Sequence, residues 1–267
     1  MWWPMWLALL VLHCPRALGQ TTGPGALPAI TINARGSPPA VEKSYRKMIR
    51  GMDLFDREHG LSPGGSLRFR LLPRKHDTDM RNIAVEVAGK SVDFPVPVAP
   101  DGSFTLPRHQ KAFDEDAIVT PNRGRQTMTW RSEIRTPGLP AGTRRLGDLR
   151  LECRVGMEAG LLSNAPTLAG RLLSALLDTP AYCDGPQPLY LFFADKPLFG
   201  VTLVHGARRE ALASDMLYAG ASINPQLEAD LPYCDCEVLV DRTYFLPLGD
   251  RSWPDDTLVE FDDMEGP

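Results

Sequence analysis

The chain has 267 residues, with 29 basic and 33 acidic side chains and a formal net charge of −4 at pH 7. Nucleic-acid-binding proteins need a positive footprint, so this mildly acidic balance argues against nucleic acid as the main partner. A chain of this length supports one large domain or two small ones, and it can bury about 70–75% of its unfolded surface.

An apolar run, Trp6–Leu12, opens the chain. It is shorter than the ~20 residues that a membrane-spanning helix needs. The small residues Ala17 and Gly19 follow it, as before the cleavage site of a secretory signal. We therefore predict a signal peptide over residues 1–19 and export to the periplasm or the extracellular space. An uncleaved anchor and lipid attachment at Cys14 are the alternatives. No later segment of the sequence is apolar enough to cross a membrane.

Residues 20–40 are rich in Gly, Pro and Thr, a composition that predicts a linker. Apolar residues then recur at helical spacing, and Gly60 suits the end of a helix. The apolar positions are Val41, Tyr45, Met48, Met52 and Phe55. We predict a helix that packs on a sheet by this face. A helix that binds a partner or a membrane surface is the alternative.

The sequence between Ser66 and Val155 is typical of β-structure. Short segments alternate apolar and polar residues, and turn residues separate them. The alternating segments are 66–72, 82–87, 91–98, 125–134 and 149–155. Pro95 and Pro97 predict an edge position for the third segment, because proline cannot donate to a strand ladder. The pattern favours an antiparallel β-sandwich.

Residues 159–267 show a mixed pattern. Helical periodicity occurs at 167–178 and near 209–217, and strand-like apolar runs occur at 188–194, 199–206, 238–248 and 256–261. We therefore predict a mainly β (α+β) fold. An N-terminal helix and an antiparallel β-sandwich occupy residues 41–158, and a mixed α/β half, residues 159–267, packs tightly on them.

The stretch VAPDGSFTLP resembles the tight Asp-Gly turn of carboxypeptidase regulatory-like, transthyretin-like sandwich domains. The later stretch TPGLPAGT resembles the LPAG segment of the same domains. The matching residues are Asp101, Gly102, Phe104, Leu106, Leu139, Pro140 and Gly142. The resemblance covers roughly residues 66–155, and the insertion FDEDAIVTPNRGR departs from the family pattern. It implies a non-catalytic module of a secreted protein, with no catalytic residues to carry over.

The cysteines predict disulfides. Cleavage after Gly19 removes Cys14 and leaves Cys153, Cys183, Cys234 and Cys236. An even number of cysteines in an oxidising compartment favours disulfides, and four cysteines allow three pairings. A bridge between Cys234 and Cys236 would close a small, strained ring, so we expect each to pair with Cys153 or Cys183. A zinc site or a thiol redox pair is the alternative.

A set of arginines predicts a binding patch, because they fall on outward positions of the predicted strands. The set is Arg131, Arg135, Arg144, Arg145, Arg150 and Arg154, and Trp253 is added as an aromatic contact. Such a patch would suit an anionic glycan, a phosphate or the acidic face of a cell-envelope protein. The alternative is a solvated face with ion pairs to Glu133 and Glu152.

Two features point to a rival, catalytic interpretation. His205 ends an apolar strand beside Gly206 and is a candidate catalytic base. Asp250, Asp255 and Asp256 flank Trp253, an arrangement that resembles a sugar site.

The leading interpretation is an exported, non-catalytic β-sandwich protein that binds or scaffolds a cell-envelope partner. It predicts no catalytic residues, metal ligands or cofactor. An envelope hydrolase acting on a glycan or peptide is one alternative, and a thiol or metal-binding envelope protein is the other. A hydrolase needs a cleft with two carboxylates, or with His205 and a nucleophile. A metal protein needs at least three converging ligand atoms.

Overall fold

The computed structural model describes residues 42–74, 76–124, 127–161, 179–185, 190–218 and 239–264. Within these ranges every strand pair is antiparallel, which confirms the mainly β, α+β class. The described strands form four sheets, and their assignment to a two-sheet sandwich stays a prediction. The predicted signal peptide and linker lie outside the described residues, and no described helix has the length and apolarity to cross a membrane.

The α-helices are α1 (Tyr45–Glu58), α2 (Gln110–Asp114) and α3 (Leu146–Glu158). Short 3₁₀ helices lie at His59–Leu61, Pro180–Asp184, Ser214–Met216 and Val240–Arg242. The strands before α3 are β1 (Lys43–Ser44), β2 (Ser66–Pro73), β3 (Val85–Ala88), β4 (Asp93–Val96), β5 (Ser103–Phe104), β6 (Ile118–Pro121), β7 (Met128–Arg135) and β8 (Thr143–Arg145). Those after α3 are β9 (Phe192–Phe193), β10 (Leu198–His205), β11 (Arg208–Ala211), β12 (Thr243–Tyr244) and β13 (Leu258–Asp263).

The strand orders are β1-β6-β3-β4, β11-β10-β13-β8, β12-β9 and β5-β2-β7. β4 is an edge strand, as Pro95 predicts. β8 and β13 are neighbours in one sheet, with Arg145 opposite Leu258. The boundary predicted between residues 158 and 159 therefore separates two strands of the same sheet, and the described residues form one compact unit.

The predicted N-terminal helix is confirmed as α1. Its first turn is capped by the Ser44 hydroxyl, which accepts a hydrogen bond from the Lys47 N–H over 3.1 Å. Tyr45 and Met48 are fully buried in a core that β2, β3, β6 and β7 also line. Gly51 brings α1 close to α3, because a Cβ at this position would lie 2.9 Å from the Cβ of Ala159.

The strand predicted over residues 149–155 is wrong, because this segment lies in α3. Leu149 and Leu151 are fully buried, and the polar residues that follow each of them, Arg150 and Glu152, are only 4% exposed. The apolar residues of this segment pack in the core, and the polar residues bond to buried groups. The alternation therefore does not mark the two faces of a sheet. A helix that is buried all round has no solvent-facing stripe by which its sequence could reveal it.

One disulfide joins α3 to the 3₁₀ helix Pro180–Asp184. The sulfur atoms of Cys153 and Cys183 are 2.00 Å apart, and both residues are buried. The expected pairing of these two residues with Cys234 and Cys236 is therefore wrong. α3 and the 3₁₀ helix pack directly together, which brings the two thiols within bonding distance. Cys234 and Cys236 lie outside the described residues.

The strands of the C-terminal half follow the sequence pattern better than its helices do. β10 and β13 form where apolar runs predict strands. Near residues 209–217, where a short helix is expected, a turn at Gly206, with φ of 58°, folds the chain back as β11, and only the 3₁₀ turn Ser214–Met216 is helical. The helix predicted over 167–178 lies outside the described residues.

Candidate functional site

A small cleft opens where β2, β7, β8 and α3 meet the segment 190–193. Its cavity measures ≈ 30 Å³, room for one or two water-sized groups. We call it the arginine cleft. The charged side chains that line it are Arg70, Arg131, Glu133, Arg144 and Glu152.

The pairing of β2 with β7 brings the first three of these charges together. Arg70 lies directly opposite Arg131 in the antiparallel register, and directly opposite residues share a face of the sheet. Glu133 is two residues beyond Arg131 and therefore lies on the same face. Arg70 Nη1 donates to Glu133 Oε1 over 3.1 Å, which offsets the repulsion between the two guanidinium groups.

Side chains satisfy the open edge of β7, which is the outer strand of the sheet β5-β2-β7. The Ile134 N–H donates to Glu152 Oε1 over 2.6 Å, and the Ile134 carbonyl accepts from Arg144 Nη2 over 2.7 Å. Arg144 and Glu152 thus take the place of a neighbouring strand at this position.

The same edge continues into the cleft. Backbone N–H and C=O groups alternate sides along a strand, so Trp130 and Ser132 face the same way as Ile134. The Trp130 carbonyl accepts from Arg131 Nη1 over 3.0 Å. The backbone of Ser132, which lines the cleft, lies between these two occupied positions.

Arg144 and Glu152 form a buried ion pair, with Arg144 Nη2 2.5 Å from Glu152 Oε1 and each side chain only 6% exposed. Burial raises the pKa of Glu152 to about 7, although Arg144 and the Ile134 N–H both favour its charged form. Burial opposes the charge of Arg144, but the attraction of Glu152 raises its pKa. The Nε of Arg144 is buried without a hydrogen-bond partner among the described residues.

Aromatic residues of the segment 190–193 form the opposite wall. The guanidinium carbon of Arg131 lies 4.7 Å from the centre of the Phe193 ring, a cation–π contact. The Tyr190 hydroxyl donates to the Glu152 carbonyl over 3.4 Å. Burial raises the pKa of Tyr190 to about 12, so this residue stays a neutral phenol.

Carboxylates and arginines alternate at the mouth of the cleft. Asp195 accepts from Arg70 Nη1 and from Arg135 Nη2, each over 2.9 Å. Glu133 accepts from Arg135 over 2.8 Å. Partial burial opposes ionisation of Asp195, but Arg135 and Arg70 lower the pKa of its carboxyl group below the ordinary value.

The structure brings three arginines of the predicted patch to the cleft and separates the other three from it. Arg131 and Arg144 line it, and Arg135 adjoins it through its bond to Glu133, a lining residue. The premise that all six point outward is wrong for Arg131, Arg144 and Arg150, which are 4–6% exposed. These side chains cap backbone groups in the interior, and whether the set binds an anionic partner stays a prediction.

Arg145, Arg150 and Arg154 stabilise other parts of the fold. Arg145 donates to the Asp255 carbonyl, and Arg150 donates to the Leu248 and Asp250 carbonyls and to the Asp255 carboxylate. Arg154 forms ion pairs with Glu58 and Asp184. Trp253 is 1% exposed, and Arg208 covers its ring at 3.5 Å.

The residues of the catalytic interpretation do not line the arginine cleft. His205 Nε2 lies 3.5 Å from Asp256 Oδ1, and both side chains are exposed. Asp250 accepts from the Ser252 N–H, which lowers the pKa of Asp250. In the part of the chain that the structure describes, no three or more His, Cys, Asp or Glu residues lie close enough to hold a metal ion.

Sequence reasoning missed Arg70 and the whole wall of residues 190–193 among the residues that line the cleft, and it missed Asp195, which bonds to Arg70. Arg70 stands on the polar face of an alternating strand, so its strand position was available from the sequence. No pattern in the sequence indicates that residues 190–195 approach β2 and β7. The two glutamates were expected as ion-pair partners of the arginines, and both form such pairs.

No protein-family model, curated protein or solved structure matches this chain, so the case for a function rests on the residues of the arginine cleft.

Proposed function

We propose that the protein is exported and acts as a non-catalytic binding protein, which binds or scaffolds a partner of the cell envelope through the arginine cleft. The disulfide between Cys153 and Cys183 supports export, because disulfides persist in oxidising compartments and are rare in the cytosol. The apolar run that ends in Ala17 and Gly19 supports it as well.

The observation that carries the binding role is the composition of the cleft. Three guanidinium groups line a cavity of ≈ 30 Å³, much smaller than the ~300–1,000 Å³ pockets that enclose a whole small molecule. Arginine binds planar anions by paired hydrogen bonds, so the cleft suits one anionic group that projects from a larger partner.

Site-specific photocrosslinking tests this function. Phe193→p-benzoylphenylalanine places the probe at the wall of the cleft. Phe199→p-benzoylphenylalanine is the matched control, because Phe199 is 62% exposed and lies on β10 outside the cleft lining. In cells that export the full chain, we expect a discrete adduct with an envelope component from position 193 and none from position 199. Recovery of the chain from the cytosol with Met1 intact would contradict the proposal. The same adducts from both positions would also contradict it.

One observation favours a second candidate, an envelope hydrolase. Glu152 lines the cleft, and a pKa of about 7 would suit a general acid. Glu133, a second carboxylate, lines the same cleft. Both glutamates are already bonded to arginines, which supports binding more than catalysis. Glycan or peptide hydrolysis that is lost in Glu152→Gln would favour the hydrolase.

A further inference from the structure

We propose that the arginine cleft binds a single carboxylate group of a peptide, which enters the cavity between Arg131, Arg144 and the backbone of Ser132. This inference rests on the proposed function and names the class of ligand. Its two possible sources are a peptide C-terminus and an acidic side chain.

The donors for a carboxylate are in place. An arginine carries five N–H donors, and every hydrogen bond that the structure shows for Arg144 uses Nη2. Its Nε is buried and has no partner among the described residues, which is costly unless a ligand or water accepts the bond. Because Arg144 is 5% exposed and lines the cleft, an acceptor for its remaining donors would enter through this cavity.

The backbone of Ser132 adds a donor that suits a peptide. Its N–H and C=O face the same side of β7 as the Trp130 carbonyl and the two backbone groups of Ile134, which side chains already occupy. Ser132 is 4% exposed and its hydroxyl donates to the Glu152 carbonyl over 2.8 Å, so a ligand would reach this N–H only through the cavity. Peptide carboxylates are commonly bound by backbone N–H groups.

The charges in the cleft favour a monoanion. Glu133 and Glu152 line the same cavity as the arginines and would repel a second negative charge. A phosphate monoester dianion would meet this repulsion in full, whereas a carboxylate carries one charge. The cavity of ≈ 30 Å³ also matches a carboxylate better than a larger oxyanion.

Beside the cleft, arginines already bond to two carboxylate side chains of the protein itself. Asp195 lies 2.9 Å from both Arg70 Nη1 and Arg135 Nη2, and Glu133 bonds to the same two arginines. Apolar walls, Leu72, Leu191, Phe192 and Phe193, complete the lining. They suit the aliphatic stem of an amino acid and offer no side-chain partners for the hydroxyl groups of a sugar.

The test is a titration of the ¹⁵N-labelled full chain without its predicted signal, at low salt and neutral pH. The probes are acetate, an acetylated Gly-Gly-Ala-Val peptide with a free C-terminus, its C-terminal amide, an amidated Gly-Glu-Ala-Val peptide, glucuronate and inorganic phosphate. The readouts are the backbone amide signal of Ser132 and the side-chain Nε–H signal of Arg144. We expect saturable shifts with acetate and tighter binding with at least one of the two carboxylate peptides.

Variants link this binding to the cleft. Arg131→Gln and Arg144→Lys each remove donors from the cavity, and we expect Kd to rise about tenfold or more, since each change removes hydrogen bonds to a charged group. Arg209→Gln is the control, because this side chain is 57% exposed and pairs with Glu260 on another sheet. If Arg144→Lys does not fold, Arg131→Gln carries the comparison, with its amide spectrum outside the cleft as the check of folding.

The set of probes distinguishes the two sources of the carboxylate. It also distinguishes failure of this inference from failure of the proposed function. Binding of the free C-terminus alone identifies a peptide terminus, and binding of the amidated Glu peptide identifies a side chain. No saturable shift with any carboxylate, tighter binding of phosphate or glucuronate, or unchanged binding in Arg131→Gln overturns the inference. If the Phe193 adduct persists in that case, the proposed function stands without this ligand. Peptide binding without any envelope adduct would instead refute the proposed function.

Discussion

Arg144 and Glu152 form an ion pair that replaces a strand at the edge of β7. Each side chain is only 6% exposed, and the pair holds both backbone groups of Ile134, at 2.7 Å and 2.6 Å. Removing one partner of a buried pair leaves an uncompensated charge, at a cost of about 3–5 kcal/mol. This pair also bonds to the backbone of β7 at Ile134. Replacing both residues by apolar ones would leave the Ile134 N–H and carbonyl without these partners and would lower the free energy of unfolding.

The first prediction concerns this backbone role. Glu152→Leu should lower the free energy of unfolding by about 1–3 kcal/mol more than Glu152→Gln does, because only glutamine keeps an acceptor for the Ile134 N–H. Urea unfolding of the two variants measures the difference. Equal stability of the two would show that the Ile134 N–H does not depend on this side chain.

The second prediction concerns pH. Burial raises the pKa of Glu152 from the ordinary value of 4.5 to about 7, so between these values the folded state binds a proton that the unfolded state releases. This group's stabilisation is full below about pH 4.5 and is lost as pH rises to about 7, with a slope of at most ~1.4 kcal/mol per pH unit.

The control for this pH dependence is Glu152→Gln, which cannot titrate. The difference in unfolding free energy between wild type and variant should change between pH 4.5 and pH 7 and stay constant above pH 8. The neighbouring charges Arg144 and Glu133 are the same in both proteins. A difference that is constant over the whole range would refute a raised pKa.

The third prediction concerns the disulfide. The double variant Cys153→Ser/Cys183→Ser opens a loop with a sequence separation of 30, so the chain-entropy model gives a loss of about 3–4 kcal/mol in unfolding free energy. A non-reducing peptide map should contain one peptide pair that links Cys153 to Cys183. A map that links either residue to Cys234 or Cys236 would instead restore the pairing expected from the sequence.

The fourth prediction concerns close backbone contact at the start of α3. A Cβ at Gly147 would lie 2.1 Å from the Leu61 carbonyl oxygen and 3.0 Å from the Asp255 carbonyl oxygen. Both are backbone atoms, so Gly147→Ala should cost about 1–3 kcal/mol or more through overpacking. Gly60→Ala is the control, because a Cβ at Gly60 meets nothing within 4 Å. Similar melting temperatures for the two variants would contradict this.

The local elements could be predicted from the sequence where one face is buried and the other is exposed. α1 follows from the helical spacing of Tyr45 and Met48, and β10 and β13 follow from their apolar runs. The edge position of β4 follows from Pro95, which has no N–H to donate. In each case the pattern that predicts the element lies within the element's own residues.

The tertiary structure decided what depends on partners that are distant in sequence. α3 is buried all round, so the alternation of Leu149 to Val155 suits a strand and a buried helix equally. The thiol partner of Cys153 depends on the packing of two helices. Asp195 meets Arg70 across 125 residues of sequence. The charges were therefore visible in the sequence, but their pairing was not, because a buried charge is satisfied by whatever the folded chain places beside it.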